Sequence, residues 1–180
     1  MGKQTLRSFY AAVRDVPDFP KAGILFRDVT PLMLDAKLFR QAAKQMAEPF
    51  RKAGVEKVLG IESRGFILGT AVALELGTGL ILARKPGKLP WKKHRVDYKL
   101  EYGSDAIEVH IDAIKPGESI LIVDDVLATG GTAGAAARVV VHAGGEVIGA
   151  SFLIELTDLG GRANLPNVDA FSLLRYPIAG

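Results

Sequence analysis

Residues 120–132 read ILIVDDVLATGGT, from Ile120 to Thr132. The four aliphatic residues Ile120–Val123 carry no polar partner, which is the pattern of a strand buried on both faces in a parallel sheet. Two carboxylates, Asp124 and Asp125, follow at the end of that run, where open α/β sheets collect their ligands. Adjacent carboxylates leaving a buried strand repel each other and lose hydration, so they need cations or hydroxyl donors close by, a need that a sugar diol, a magnesium ion or both would meet. Ala128, Thr129, Gly130, Gly131 and Thr132 then lead into a helix. The two glycines let backbone N–H groups approach a ligand, the hydroxyls add donors, and the helix N-terminus supplies positive potential. Together these are the parts of a phosphate monoester site. An aspartate cap before a glycine-rich turn would account for either half alone, but not for their fusion to a buried strand. Neither a Gly-Lys-Ser/Thr phosphate loop nor a GxGxxG after a strand occurs, which argues against a nucleoside triphosphatase.

Outward from this stretch, short β-rich runs alternate with helical ones from Val55 on: VLGIE, RGFILGTAVALEL, GLILAR, ILIVDD, GTAGAAARVVVHAG and EVIGASFLIE. The alternation predicts an α/β fold, a doubly wound and mostly parallel sheet flanked by helices. AIEVHID differs: Ile107, Val109 and Ile111 alternate with Glu108, His110 and Asp112, predicting a half-exposed edge strand. Upstream, Leu6, Phe9, Tyr10 and Val13 mark an amphipathic helix that Pro17 and Pro20 end. Asp15 to Pro31 reads as an ordered loop with an apolar insert, Ile24-Leu25-Phe26. A second helix is expected from near Asp35, with Phe39, Ala43, Met46 and Phe50 on one face and Pro49 at its end. Residues 85–104 lack apolar periodicity, and such a stretch inside a compact domain is usually a lid or a binding loop.

The chain's 180 residues suit one domain, and 48% hydrophobic with 24% charged residues suits a globular one. No apolar run approaches the roughly 18 residues of a membrane span. The N-terminus lacks the apolar core and cleavage site of a secretory signal, so a cytoplasmic address is expected. The absence of cysteine excludes disulfides, thiolate nucleophiles and cysteine-based metal sites. His94, His110 and His142 are too scattered for a zinc triad. The net charge is only +3, yet Arg84, Lys85, Lys88, Lys92, Lys93, Arg95 and Lys99 cluster, opposed within that stretch by Asp97 alone. Such a cluster could meet a phosphate-bearing small molecule, nucleic acid or merely water.

The stretch ILIVDDVLATGGT resembles the 5-phosphoribosyl 1-pyrophosphate (PRPP) motif of type I phosphoribosyltransferases. FPKAGILFRDVTP, GIESRGFILG, RKPGKLP, DYKLEYGSD and LIELTDLGGR extend the resemblance, in the same order, to the adenine phosphoribosyltransferases. It implies one domain over residues 1–180, with a helix and base-binding hood in 1–34 and a flexible lid loop at 85–104. The implied reaction takes adenine and PRPP to AMP and pyrophosphate, with Mg2+ held mainly by PRPP near Asp124 and Asp125 and no protein group assigned as a direct ligand. A homodimer is implied, with Arg84 reaching a neighbouring subunit's site; neither membrane nor nucleic acid is expected as a partner.

Arg64 lies in the Gly-bounded turn of GIESRG after a second strand, where a guanidinium could clamp a pyrophosphate. In similar enzymes this is the pyrophosphate loop, often with a non-proline cis peptide, here at or beside Glu62-Ser63. Arg84 and Lys88 would add charge to the same anion. Phe26 read alone is a plug in a satellite core; by resemblance it stacks on the purine while backbone groups of Leu25 and Arg27 pair with the adenine edge. Glu101 read alone is a solvated loop acid. By resemblance it sits beside purine N7 as the catalytic acid, and Tyr102 helps close the site. Two alternatives remain at this point: a transferase for hypoxanthine, guanine or xanthine, and a PRPP-sensing regulator that binds nucleic acid through the basic lid. Against the regulator, one short helix and a substrate-like loop fill the region before the sheet, leaving no room for a helix-turn-helix.

Overall fold

The computed structural model describes residues 3–100 and 103–177. Helix α1 (Lys3–Ala11) leads to a small antiparallel ribbon, β1 (Arg14–Val16) with β2 (Phe26–Asp28), and then to α2 (Thr30–Leu34) and α3 (Ala36–Ala47). The carboxylate of Asp35 accepts the N–H groups of Lys37 and Leu38 at 2.9 and 3.0 Å, which starts α3 where the sequence places it. Pro49 ends the regular helix in a 3-10 turn over Glu48–Phe50.

The body of the chain continues through β3 (Lys57–Ile61), α4 (Arg64–Leu76), β4 (Gly79–Ala83), the hairpin of β5 (Lys93–Leu100) and β6 (Gly103–His110), β7 (Ser119–Leu127), α5 (Gly131–His142), β8 (Glu146–Leu156) and β9 (Ala170–Tyr176). Strands β4-β3-β7-β8-β9 form one sheet, in that order and all parallel. Both faces are covered. Ile120 and Ile122 pack with Leu59 and Ile61 against α5 and the hairpin, while Leu121 and Val123 pack with Val58 against α1, α3 and α4. Burial on alternate faces explains why the strands read as unbroken apolar runs. The chain steps outward from β3 to β4, returns to place β7 on the other side of β3, and continues to β9. The strand order therefore reverses between β3 and β7, where a crevice opens beyond the strand ends.

Three local expectations are corrected. The stretch read as irregular contains an eight-residue strand, β5, paired along its length with β6. Among its described side chains the inward apolar ones are Val96 and Tyr98, interleaved with charge. The edge strand of AIEVHID belongs to this hairpin and ends at His110; Glu108 is buried, and Ile111 is 40% exposed. Phe26 stands in β2, paired with Val16, rather than in an irregular loop.

Candidate active site

Strand β7 runs four residues past Val123, so both aspartates lie within it. Its pairing with β3 ends at Val123, whereas its pairing with β8 continues through Leu127. Asp124 and Asp125 thus project where the pairing with β3 has ended, at the switch point. Both are largely buried. Asp124 accepts the N–H of Asp125 at 2.8 Å, and Asp125 is ion-paired with Arg64. Burial, then the neighbouring charge of Asp125, pushes the Asp124 carboxyl well above the usual carboxylate range. Asp124 fits only because residue 65 is glycine: a Cβ there would lie 2.8 Å from its Oδ1.

Beyond the acids, Ala128 to Thr132 turn into α5, and with Asp124, Val126 and Leu127 they line a cleft of about 90 Å³. Gly130 has φ +79°, and a Cβ on it would meet the carbonyl oxygen of Gly161 at 2.1 Å. Gly161 in turn sits under the loop, where a Cβ would meet the Ala128 carbonyl at 2.2 Å. Asn164 donates its Nδ2 to the Thr129 carbonyl at 2.8 Å. The 160–164 turn is itself pinned by Arg162, which grips the buried Glu155 with two bonds of 2.7 and 2.8 Å. The hydrogen bonds from Arg162 hold Glu155 below the usual carboxylate range despite its burial. LIELTDLGGR therefore underlies the loop from Ala128 to Thr132, a role its sequence alone does not disclose because the contact spans some thirty residues.

At the ends of β3 and β4 the peptide between Glu62 and Ser63 is cis, as the resemblance placed it. Arg64, Arg84 and Lys88 gather at this edge. Arg84 donates to Glu62 at 3.2 Å and to the Lys88 carbonyl at 3.0 Å. Burial raises Glu62, but hydrogen bonds from Arg84 and the Lys85 N–H outweigh it and leave its pKa below the usual value. The sequence marks Glu62 only through the Glu62-Ser63 peptide and gives no sign that its side chain receives Arg84.

Phe26 and Arg64 share a second cleft, of about 380 Å³, with Val16, Phe19, Asp28 and Thr30. Phe19 meets Phe26 edge-on at 5.2 Å, and the Arg64 guanidinium lies 5.7 Å from the Phe26 ring centre. Arg64 therefore joins this cleft to the aspartate pair. The side chain of Arg27 is occupied elsewhere, with Asp15 and over the ring of Tyr176 at 4.4 Å. That leaves its backbone, with that of Leu25, beside the Phe26 ring. Glu101 and Tyr102 lie outside the described residues.

The basic cluster is less free than its sequence suggests. Lys93 pairs with the buried Glu108 at 2.8 Å, Arg95 with Asp97 at 2.6 Å, and Lys85 with Asp105. Glu108 also accepts the Gly87 N–H at 3.2 Å, tying the hairpin to the 84–88 segment. Asp97 is the local counter-charge that the sequence shows, whereas Asp105 and Glu108 arrive from β6, across the hairpin, where no local pattern reveals them.

A glycine-lined cleft at the head of α5 adjoins the acid pair, and Arg64, which pairs with Asp125, stands with Arg84 and Lys88 on a cationic rim. A sugar carrying phosphate at one end and pyrophosphate at the other needs that layout, which places the chain among phosphoribosyl-binding proteins of the doubly wound class. The phosphoribosyl transferase domain family matches residues 33–168. Adenine phosphoribosyltransferase of Anaeromyxobacter dehalogenans is 53% identical over 92% of this chain and 96% of its own length. The crystal structure of adenine phosphoribosyltransferase from Rhodothermus marinus matches with a TM-score of 0.93 at 50% identity, covering 97% of this chain and all of that one. The Saccharomyces cerevisiae enzyme, solved with an imino-altritol bisphosphate and adenine, matches with a TM-score of 0.89 at 38% identity, covering 95% of this chain and 99% of that one. The chain belongs to the phosphoribosyltransferase family, and within it to the adenine phosphoribosyltransferases.

Proposed function

We propose that the protein transfers the phosphoribosyl group of PRPP to adenine, giving AMP and pyrophosphate. The observation that carries this reading is the adjacency of two sites through one residue, Arg64, which lines the aromatic cleft of Phe26 and pairs with Asp125. A base held in the first would face a ribose held at the second.

In this reading the 5-phosphate of PRPP occupies the loop Ala128, Thr129, Gly130, Gly131 and Thr132, at the N-terminus of α5. The ribose hydroxyls donate to Asp124 and Asp125, which relieves the cost of their burial. The pyrophosphate is held by Arg64, Lys88 and Arg84 of a partner subunit. The donor set suits Mg2+: two adjacent, largely buried carboxylates beside the diol. Bound there with PRPP, Mg2+ would neutralise charge on the departing pyrophosphate. Phe26 stacks on adenine, and the backbone of Leu25 and Arg27 reads its edge. Bond breaking at the anomeric carbon runs ahead of bond making, so catalysis is mostly positioning and electrostatic stabilisation of an oxocarbenium-like state. Glu101, by the resemblance of LEYG to the family's pattern, holds or delivers a proton at N7 as the base is captured. Tyr102 helps exclude water that would otherwise hydrolyse the cation.

A homodimer is supported by an apolar face on the edge of the sheet. Leu80 and Leu82 of β4 are 36% and 42% exposed, and Ile67 and Leu74, two turns apart on α4, are 48% and 78% exposed. No helix among the described residues is long and apolar enough to cross a membrane.

The reading is tested by incubating the protein with PRPP, Mg2+ and adenine and separating the products. AMP and pyrophosphate in equal amounts support it; absence of AMP overturns it. Replacing Asp124 and Asp125 together by Asn should abolish PRPP binding, and retained tight binding would overturn the site assignment.

A further inference from the structure

Tyr98, on strand β5 of the hairpin, is 6% exposed, and its hydroxyl lies among three polar groups. Lys85 Nζ donates to it at 2.8 Å, the Asp105 carboxylate lies at 3.2 Å, and the hydroxyl of Thr132 lies at 3.3 Å. Lys85 is also ion-paired with Asp105, whose second oxygen accepts the Ala106 N–H at 2.8 Å. Thr132 belongs to the phosphate loop; the other three groups belong to the hairpin and its neighbouring loop.

A phenol has one hydrogen and two lone pairs. Lys85 uses one lone pair. If the hydrogen goes to Asp105, Thr132 must donate to Tyr98, and its hydrogen then points away from the loop's ligand. If the hydrogen goes to Thr132, Asp105 loses only its longest contact, because Lys85 and the Ala106 N–H still serve it. Thr132 is then free to donate elsewhere. A phosphate dianion accepts but cannot donate, so every hydroxyl that faces it must donate.

We infer that Tyr98 is a positioning residue for the 5-phosphate: its hydroxyl switches from Asp105 to Thr132 and so turns the Thr132 hydrogen toward the phosphate. The switch links occupancy of the phosphate loop to the paired strands β5 and β6. It rests on the reading of the loop as a phosphoribosyl site and adds a residue outside the motif to it.

The test measures binding of ribose 5-phosphate and of pyrophosphate, separately, to the full chain. Wild-type protein must bind ribose 5-phosphate; if it does not, the reading of the loop falls before the inference is reached. Tyr98→Phe keeps the ring and the Lys85–Asp105 pair, and should weaken ribose 5-phosphate about 3- to 10-fold, the range of one supporting hydrogen bond. Pyrophosphate binding should stay within about twofold of wild type. In a Thr132→Val background, Tyr98→Phe should add no further loss. Equal ribose 5-phosphate binding by wild type and Tyr98→Phe overturns the inference. So does loss confined to pyrophosphate, which would mean that Tyr98 acts through Lys85, and so does full additivity with Thr132→Val. If Tyr98→Phe does not fold, Asp105→Asn decides: it weakens the competing acceptor and should retain or tighten ribose 5-phosphate binding, whereas weaker binding overturns the inference.

Discussion

Gly161→Ala adds one methyl group in a turn outside the proposed substrate contacts, yet it should disable the proposed phosphate loop. The new Cβ would stand 2.2 Å from the Ala128 carbonyl oxygen and 3.0 Å from the Leu127 side chain, where ordinary contact begins near 3.4 Å. The 160–164 turn cannot easily retreat, since the Arg162–Glu155 pair clamps it to β8. The loop must therefore give, by roughly 1 Å, and a displacement of that size at a binding group can cost about a hundredfold in rate. Overpacking of this kind costs about 1–3 kcal/mol of stability, which for a domain of this length lowers Tm by about 2–12 °C. The assay pairs steady-state kinetics against PRPP with thermal unfolding. Gly160→Ala is the control, because its Cβ would meet nothing within 4 Å and carries only the strain of φ +62°. It should lose stability of about 1 kcal/mol and little PRPP kinetics. A Gly161→Ala protein with wild-type kcat/KM for PRPP would refute the claim that the loop's position is set from beneath.

Glu101→Gln should lower kcat at saturating substrates by about 10²- to 10⁴-fold if the lid acid handles a proton; unchanged turnover would leave it only a binding role. Asp28 is held down to about 2, first by the Thr30 N–H and then by Arg14, against 3.8 for the free group. A lowered carboxyl stabilises the fold above the free group's pKa and loses that contribution as pH falls, so Asp28→Asn should cost about 1 kcal/mol at pH 7, after screening around the exposed Arg14. The difference from wild type should shrink between about pH 4 and pH 2 in chemical denaturation; a constant difference would refute it. Chelation of Mg2+ should abolish AMP formation, and restoring the metal should recover it.

The parts legible in the sequence were those whose physics is local. Burial of Ile120–Val123, the two acids after them and the glycine loop lie within thirteen residues, and Asp35 caps α3 through bonds to residues two and three positions away. What stayed hidden depends on partners far along the chain. Tyr98 reads as one aromatic in a charged stretch until β6 pairs with β5 and the phosphate loop comes within reach. Glu108 reads as a solvent-facing residue of an alternating strand, yet it is buried as the counter-charge of Lys93. Gly161 stands in LIELTDLGGR with nothing local to mark it, and its need for a bare Cα arises from Ala128, far along the chain. Phe26 shows the same limit on a smaller scale, since a three-residue ribbon has too few positions to announce a strand.

The central claim is that the cleft around Phe26 receives adenine while Asp124 and Asp125 hold the donor sugar. Its most direct test is nucleotide formation from PRPP and Mg2+ with adenine, hypoxanthine, guanine and xanthine supplied singly, followed as kcat/KM for each base. AMP formation from adenine, with kcat/KM for the three oxopurines lower by orders of magnitude, is the predicted result. Comparable turnover of any oxopurine, or no nucleotide from adenine, would contradict it.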